Sequence, residues 1–351
     1  MQASQIFFDK ILIIGLGLIG GSFAKAIRDA KSSTGIFAYD LDEEALELAK
    51  SGGAINGGCS NLDIPQEEML SFDLIVLATP LSTYEKILKE IADKISPQTT
   101  IIDLGSVKEI QVKKFLPQNL KENFIPCHPI AGSDQSGFER SSSDLFFGKK
   151  FIICPENTNP TSLKKVEDVA RKIGGIVEFI DAKRHDEIYA LVSHLPQFLS
   201  FLTKKFSPKK IENDFLKTAF RLDNSSSEMW SDIFELNGKN LEKFYLKFFK
   251  NLEFFSKNLE MIFGERFSQN SSPSTVDEKA LEENFSEIFF RILVVVSFLK
   301  IPEIKIFESY AGSGFKDFTS IISILNFDQK KLQILIKKNQ QKILNSFNLI
   351  S

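Results

Sequence analysis

Cysteine and histidine are scarce in this chain of 351 residues, three of each, and tryptophan occurs once. Cys59, Cys127 and Cys154 are odd in number and widely spaced, with no CxxC pair. That pattern excludes a disulfide framework and a structural zinc site and predicts a reducing cytoplasm, with no metal. A strong charge of one sign is also missing, since 43 basic residues face 46 acidic ones for a net charge of -3. No nucleic-acid or membrane-surface partner is expected. Long hydrophobic runs are absent too. The apolar stretch at 11–19 is preceded by Asp9, interrupted by glycines and followed by Lys25 and Arg28, unlike a signal peptide. The stretch at 292–299 is far too short to span a bilayer. Both read as core segments, and the length suits two domains, because a single core rarely grows past about 250–300 residues.

What is present begins with a strand-like run at 11–14 that leads into Gly15-Leu16-Gly17-Leu18-Ile19-Gly20-Gly21-Ser22 and an amphipathic helix to about residue 30. This is GxGxxG in its strand-to-helix setting. The first glycine permits the tight turn, Gly17 lets a pyrophosphate approach the backbone, and Gly20 lets helix and strand pack closely. A second strand at 35–39 ends on Asp40, 25 residues beyond Gly15, where a carboxylate can accept hydrogen bonds from both ribose hydroxyls. Such an acid repels a 2'-phosphate, so NAD is favoured over NADP.

Strands and helices continue to alternate through 74–80, a helix at 83–95, 99–103 and a helix from Val107 to Phe115, which predicts a doubly wound parallel sheet. In such a sheet the strand C-termini share one edge, so Gly15, Asp40, Thr79, Ser106 and His128 should line one crevice. The expected cofactor contacts are Gly15, Leu16, Gly17, Leu18, Ile19, Gly20, Asp40, Thr79 and Pro80. Ser106 is read equally well as the N-cap of the helix after it. Further strands at 151–154 and 176–179 close the dinucleotide-binding domain, placed at 1–181.

One rare base sits in a turn at that edge. His128 follows a short strand at 124–127 and precedes the small residues Ala131, Gly132 and Ser133, and imidazole is the side chain whose ordinary pKa suits proton transfer near neutrality. From Ala182 the strand pattern stops and helical periodicity takes over. Here Pro196 should kink or interrupt the helix, and a kink can turn His194 aside. His185 is assigned a capping or surface role. Arg221 and Trp230 follow, and an arginine can clamp a carboxylate bidentately. The whole predicts an α/β Rossmann-type domain followed by an all-α C-terminal domain.

The chain resembles the prephenate/arogenate dehydrogenase family of tyrosine biosynthesis over about residues 10–265. The resemblance is carried by the glycine motif at 15–22, Asp103-Leu-Gly-Ser-Val-Lys108, His128-Pro-Ile-Ala-Gly-Ser133, Leu145-Phe-Phe-Gly148, His185-Asp186, Ser193-His-Leu-Pro196 and Met229-Trp230-Ser-Asp-Ile233. It implies an NAD-dependent oxidative decarboxylation of prephenate, with arogenate as the alternative substrate. It also implies that His128 receives the hydrogen bond of the ring hydroxyl while Ser106 orients that hydroxyl. Substrate binding by His194, Arg221, Ser133 and Trp230 is implied as well, as is a homodimer. A β-hydroxyacid dehydrogenase would be organised around a lysine, and no Lys-x-x-x-Asn helix in a glycine-rich setting follows the cofactor domain. A catalytically silent NAD-binding regulator stays open as a second class.

Two departures stand out. Gln197 occupies a place where many members of the family carry a second histidine, and the glycine-rich FxDFTR pattern has become Phe215-Leu-Lys-Thr-Ala-Phe-Arg221. After the helical substrate and dimerisation domain at 182–267 and a polar linker at 268–275, an internal echo appears at an offset of about 100. Glu187-Ile188-Tyr189 aligns with Glu287-Ile288-Phe289, and Gly312-Ser-Gly-Phe-Lys-Asp-Phe-Thr319 aligns with the residues before Arg221, so Ser320 stands where the arginine would be. Asn237 likewise matches Asn339. Residues 276–351 therefore read as a degenerate second copy of the helical domain, able to replace the partner subunit as an intrachain pseudo-dimer.

Overall fold

The computed structural model describes residues 8–30, 33–109, 112–132, 136–204, 217–218, 220–257 and 285–321. Its eight strands are β1 (Lys10–Ile14), β2 (Gly35–Tyr39), β3 (Gly57–Cys59), β4 (Leu74–Leu77), β5 (Thr100–Asp103), β6 (Phe124–Pro129), β7 (Lys150–Ile153) and β8 (Ile176–Phe179). They form one sheet in the order β3-β2-β1-β4-β5-β6-β7-β8. Every pair from β3 to β6 is parallel, so those six strands end at one edge.

The wholly parallel sheet expected from the alternation needs one correction. β6 and β7 are antiparallel, and β8 follows β7 in parallel. A parallel neighbour requires a crossover, usually a helix, to carry the chain back across the sheet. Among the described residues between β6 and β7 only a 3-10 turn at Phe138–Arg140 is helical, and the chain returns running the other way. The helix expected over 107–115 is not found among the described residues of that range, where 107–109 are not helical and Val112–Phe115 forms a 3-10 turn.

Strand periodicity builds the core on both faces. Ile11 and Ile13 of β1 join a cluster with Phe23 and Ile27 of α1 (Leu18–Ala30). Alternate residues Leu12 and Ile14 join a second cluster with Met69, Tyr84, Leu88 and Ile91 from the opposite layer. All four β1 residues are essentially inaccessible, which is why the strand reads as an unbroken apolar run rather than an alternating one. Local signals set the helix ends. Asp42 accepts from the Glu44 and Ala45 N–H groups to cap α2 (Glu43–Ser51), and Asn159 does the same for the helix Pro160–Lys172, whose first-turn proline needs no donor.

The chain divides into two compact units, one of residues 1–186 with 231–236 and one of 187–230 with 237–351. The helix Ala182–Tyr189, whose first five residues belong to the first unit, passes into a π-turn at Ala190–His194 and then the helix Leu195–Thr203, whose first turn holds Pro196. The α-helix is thus interrupted by a widened turn just ahead of the proline, which lacks an N–H to donate. The helices Gly238–Lys257 and Phe285–Leu299 pack along one another, and Ser313–Ser320 lies against Leu195–Thr203 and the 3-10 turn Arg221–Asn224. The fold is a Rossmann-like parallel sheet with a helical C-terminal part. Among the described residues no helix is long and apolar enough to cross a membrane.

Candidate active site

The order of the strands reverses between β1 and β4, and open α/β sheets bind ligands at such a switch point, outside the strand C-termini. The glycine loop lies there. Gly15 has φ +98°, and a Cβ on it would lie 2.7 Å from the Ala78 carbonyl at the end of β4. A Cβ on Gly20 would come within 1.9 Å of the Gly15 carbonyl oxygen. Packing therefore forces both glycines. At Gly17 a Cβ would meet nothing within 4 Å, so packing does not demand glycine there. What a bare backbone does leave at Gly17 is a cradle at the helix N-terminus, where Leu18 and Ile19 present the N–H groups that lack intrahelical acceptors.

Asp40, expected to face ribose, also has a structural task. One carboxylate oxygen accepts the Leu16 N–H at 2.5 Å and the other the Asp42 N–H at 2.9 Å, which ties the loop to the end of β2. A carboxylate offers about four acceptor positions, so capacity for ribose hydroxyls is retained. At the end of β4 the Thr79 and Thr83 hydroxyls are bonded at 2.7 Å, and exposed Pro80 opens the 3-10 turn Leu81–Thr83. These residues fit a dinucleotide.

His128 lies near the end of β6, two positions past Pro126, the partner of Asp103 at the end of β5. Its Nδ1 is 2.9 Å from Nε2 of His185, and His185 Nδ1 is 2.8 Å from Oδ1 of Asp186. The capping or surface role assigned to His185 is therefore wrong: its side chain is completely buried, and the isolated sequence carries no sign that 57 residues of chain bring it to His128. Its signal was adjacency to an aspartate. Asp186 is itself anchored by the Lys108 N–H at 2.8 Å and the Glu109 N–H at 2.7 Å.

This chain fixes the tautomers. Burial, and then the nearby Lys108 charge, hold the His185 pKa well below its ordinary 6.5, so the ring is neutral. A carboxylate only accepts, hence His185 donates from Nδ1 and accepts at Nε2. His128 must then donate from Nδ1, which puts its own acceptor lone pair on Nε2, the form a base requires. A group whose folded pKa is depressed contributes stability above its unfolded pKa and loses it as pH falls toward the folded one. Unfolding free energy should therefore decline below about pH 6.5, by up to roughly 1.4 kcal/mol per pH unit from this residue. Denaturant titrations between pH 7.5 and 5 should show that slope reduced in His185→Gln; an identical slope in the variant would mean that His185 is not the group responsible.

Beneath His128 lies a buried ion pair. Lys108 Nζ donates to the Asp103 carboxylate and to the Cys127 carbonyl, and Asp103 also accepts the Gly105 N–H at 3.1 Å. Burial pushes the Asp103 carboxyl up and the Lys108 charge only partly opposes it. The thiols of Cys127 and Cys154 are pushed up by burial too, so both are inert packing groups. Ser106 follows β5 and has no helix to cap, which removes the capping alternative. Ser133 lies outside the described residues, as does Asn339.

The second unit carries the remaining predicted residues. His194 is buried, its Nδ1 receives a hydrogen bond from Asn237 Nδ2 at 3.0 Å, and its ring meets Trp230 edge-on at 6.0 Å. An amide N–H only donates, so His194 is neutral with its hydrogen on Nε2, the opposite tautomer to His128. Gln197 is buried and donates to the Leu222 carbonyl at 2.8 Å, bracing the turn that begins at Arg221. Arg221 pairs with Asp317 through Nη2 at 2.6 Å and Nε at 2.7 Å. Among the described residues no cluster of three or more histidine, cysteine or acidic side chains could hold a metal.

Two family models match the chain, the nucleotide-binding domain of prephenate dehydrogenase over residues 23–179 and its dimerization domain over 181–269. A crystal structure of prephenate dehydrogenase from Aquifex aeolicus is 30% identical and covers 85% of this chain and 99% of its own, with a TM-score of 0.64. The chain belongs to the prephenate dehydrogenase family. A second Aquifex prephenate dehydrogenase structure, in complex with hydroxyphenyl propionate and NAD+, is 30% identical over 86% of this chain and 98% of its own, with a TM-score of 0.62. The cyclohexadienyl dehydrogenase of Zymomonas mobilis is 29% identical over 238 residues, 64% of this chain and 80% of its own. The prephenate dehydrogenase of Lactococcus lactis is 32% identical over 194 residues, 54% of this chain and 52% of its own. The prephenate dehydrogenase model for nucleotide binding starts after the glycine loop, so the role of Gly15 to Gly20 rests on their geometry.

Proposed function

We propose that the protein is an NAD-dependent prephenate dehydrogenase that converts prephenate to 4-hydroxyphenylpyruvate, with His128 as the base. The single observation that carries this reading is the His128-His185-Asp186 chain, which sets the acceptor lone pair of His128 on Nε2 near the end of a strand in a sheet suited to a dinucleotide. NAD, when bound, takes up the hydride from the ring carbon that bears the hydroxyl. His128 Nε2 draws off the hydroxyl proton, and the C–O bond gains carbonyl character. The ring carboxylate is then conjugated to that carbonyl, its C–C bond breaks, and carbon dioxide leaves. The electron pair passes through the ring to the oxygen, which regains a proton as a phenol. Aromatisation drives the step, and no further electron sink is needed.

Ser106 orients the hydroxyl in this reading. His194 donates from Nε2 to a substrate carboxylate, Arg221 clamps one, Ser133 assists and Trp230 forms a wall. A clamp that gripped the departing carboxylate too well would stabilise the ground state and raise the barrier. The matched dimerization domain supports a homodimer, and three free thiols fit a reducing, cytoplasmic setting. Arogenate is the second substrate considered, because a relative acts as a cyclohexadienyl dehydrogenase by name. NADH formation followed by absorbance should appear with prephenate and NAD and be weaker with arogenate; no NADH with either substrate would refute the dehydrogenase reading.

A further inference from the structure

The Phe-x-Asp-Phe-Thr-Arg pattern is split between the two halves of the second unit. In the first copy its arginine survives as Arg221, while its aspartate position has become Thr218. In the second copy the aspartate survives as Asp317, while the arginine position has become Ser320. Each copy has kept what the other has lost. The two survivors are joined in the folded chain, Arg221 to Asp317 by two hydrogen bonds of 2.6 and 2.7 Å. Ser320 turns back on its own helix, donating to the Asp317 carbonyl at 2.7 Å.

The same short turn is gripped a second time from the second copy. Asp223, two residues past Arg221, accepts from Arg291 Nη2 at 2.5 Å and from the Ser200 hydroxyl. Arg291 is fully buried, stacked 4.7 Å over the Phe220 ring, the residue just before Arg221. Both Arg291 and Asp317 lie beyond residue 269, where the matched dimerization domain ends. The two contacts differ in kind. The Arg291–Asp223 pair is buried and holds the turn's backbone in place, whereas Arg221 and Asp317 are partly exposed and contribute little to stability. A contact that adds little stability but fixes the plane of a guanidinium acts on orientation.

We propose that Asp317, carried by the degenerate second copy of the helical domain, is the positioning residue for Arg221. The second copy thereby completes a substrate clamp that the first copy has lost the means to hold, and each chain carries one such clamp. This rests on the reading of Arg221 as a carboxylate clamp. An arginine with both donors of one edge engaged by Asp317 keeps its other edge in a set direction, and replacing the carboxylate releases its long side chain into many rotamers.

Steady-state kinetics of the full chain with prephenate test this. Asp317→Asn should raise KM for prephenate by about tenfold, leave kcat and KM for NAD within about twofold, and leave the melting temperature within a few degrees. Asp317→Glu, which keeps the charge, should recover most of the affinity. An unchanged KM in Asp317→Asn, beside a raised KM in Arg221→Gln, would overturn the proposal and leave the clamp intact. A fall in melting temperature with kcat and both KM values disturbed together marks a purely structural contact and also overturns it. Failure of the underlying reading would look different, since the unmodified chain itself would then form no NADH with prephenate.

Discussion

His128→Asn is expected to lower kcat with prephenate by two or more orders of magnitude, within the roughly 10²–10⁴ that a positioned base contributes. Asparagine can still occupy the place of the ring and make a hydrogen bond, but it has no basic nitrogen. The proton of the ring hydroxyl then has no acceptor as the carbonyl forms. Nothing in the glycine loop or around Asp40 depends on this side chain, since Asp40 is held by the Leu16 and Asp42 N–H groups. NAD affinity should therefore be unchanged, as measured by calorimetry in the absence of substrate. Turnover within a few-fold of the unmodified protein would remove His128 from the role of base. The geometry of its neighbours adds that the imidazole works only as one tautomer, because His185 can accept but not donate at the shared contact.

Lys108→Met should be strongly destabilising to the first unit. Lys108 and Asp103 are both essentially inaccessible. Removing one partner of a buried pair leaves the other charge without compensation and costs about 3–5 kcal/mol, far more than the pair's net contribution. Asp103 would keep the Gly105 and Cys127 N–H groups, and the Cys127 carbonyl would lose its Nζ donor. These groups bind β5 to β6 just below His128. For a unit of this size the loss corresponds to a drop in melting temperature of roughly 10 °C or more. Making Asp103→Asn as well should restore part of it, because the stranded charge is then gone. A melting temperature within two or three degrees of the original for Lys108→Met alone would show that the pair is not a structural requirement.

Much of the first unit could be read before any coordinates. The run at β1, the spacing of Gly15, Gly17 and Gly20, and Asp40 at the end of β2 are local features, each set by the steric and hydrogen-bonding needs of residues close in the chain. Their order along the chain also predicts the shared strand edge, because parallel connections leave few topologies open. Prediction was weaker where local signals compete with distant partners. Where a helix was expected from Val107, residues 107–109 are not helical, and their Lys108 and Glu109 N–H groups bind Asp186, some 78 residues away. Two tertiary bonds to a carboxylate outweighed a modest helical preference.

The helical unit divides in the same way. Its periodicity, the break at Pro196 and the echo between its halves are visible in the amino-acid order, since each is a matter of composition and repeat. Residue order alone therefore determined a dinucleotide-binding Rossmann unit, a helical second part, membership of a dehydrogenase family and a candidate base at His128. Only the folded chain decided that His185 is the buried partner of that base, which tautomers the three histidines of the molecule adopt, and that Asp317 meets Arg221. The contacts between elements behind them span 43 to 96 residues of chain, and no local propensity encodes them. They exist because packing the apolar faces of strands and helices leaves buried polar groups that must find one another.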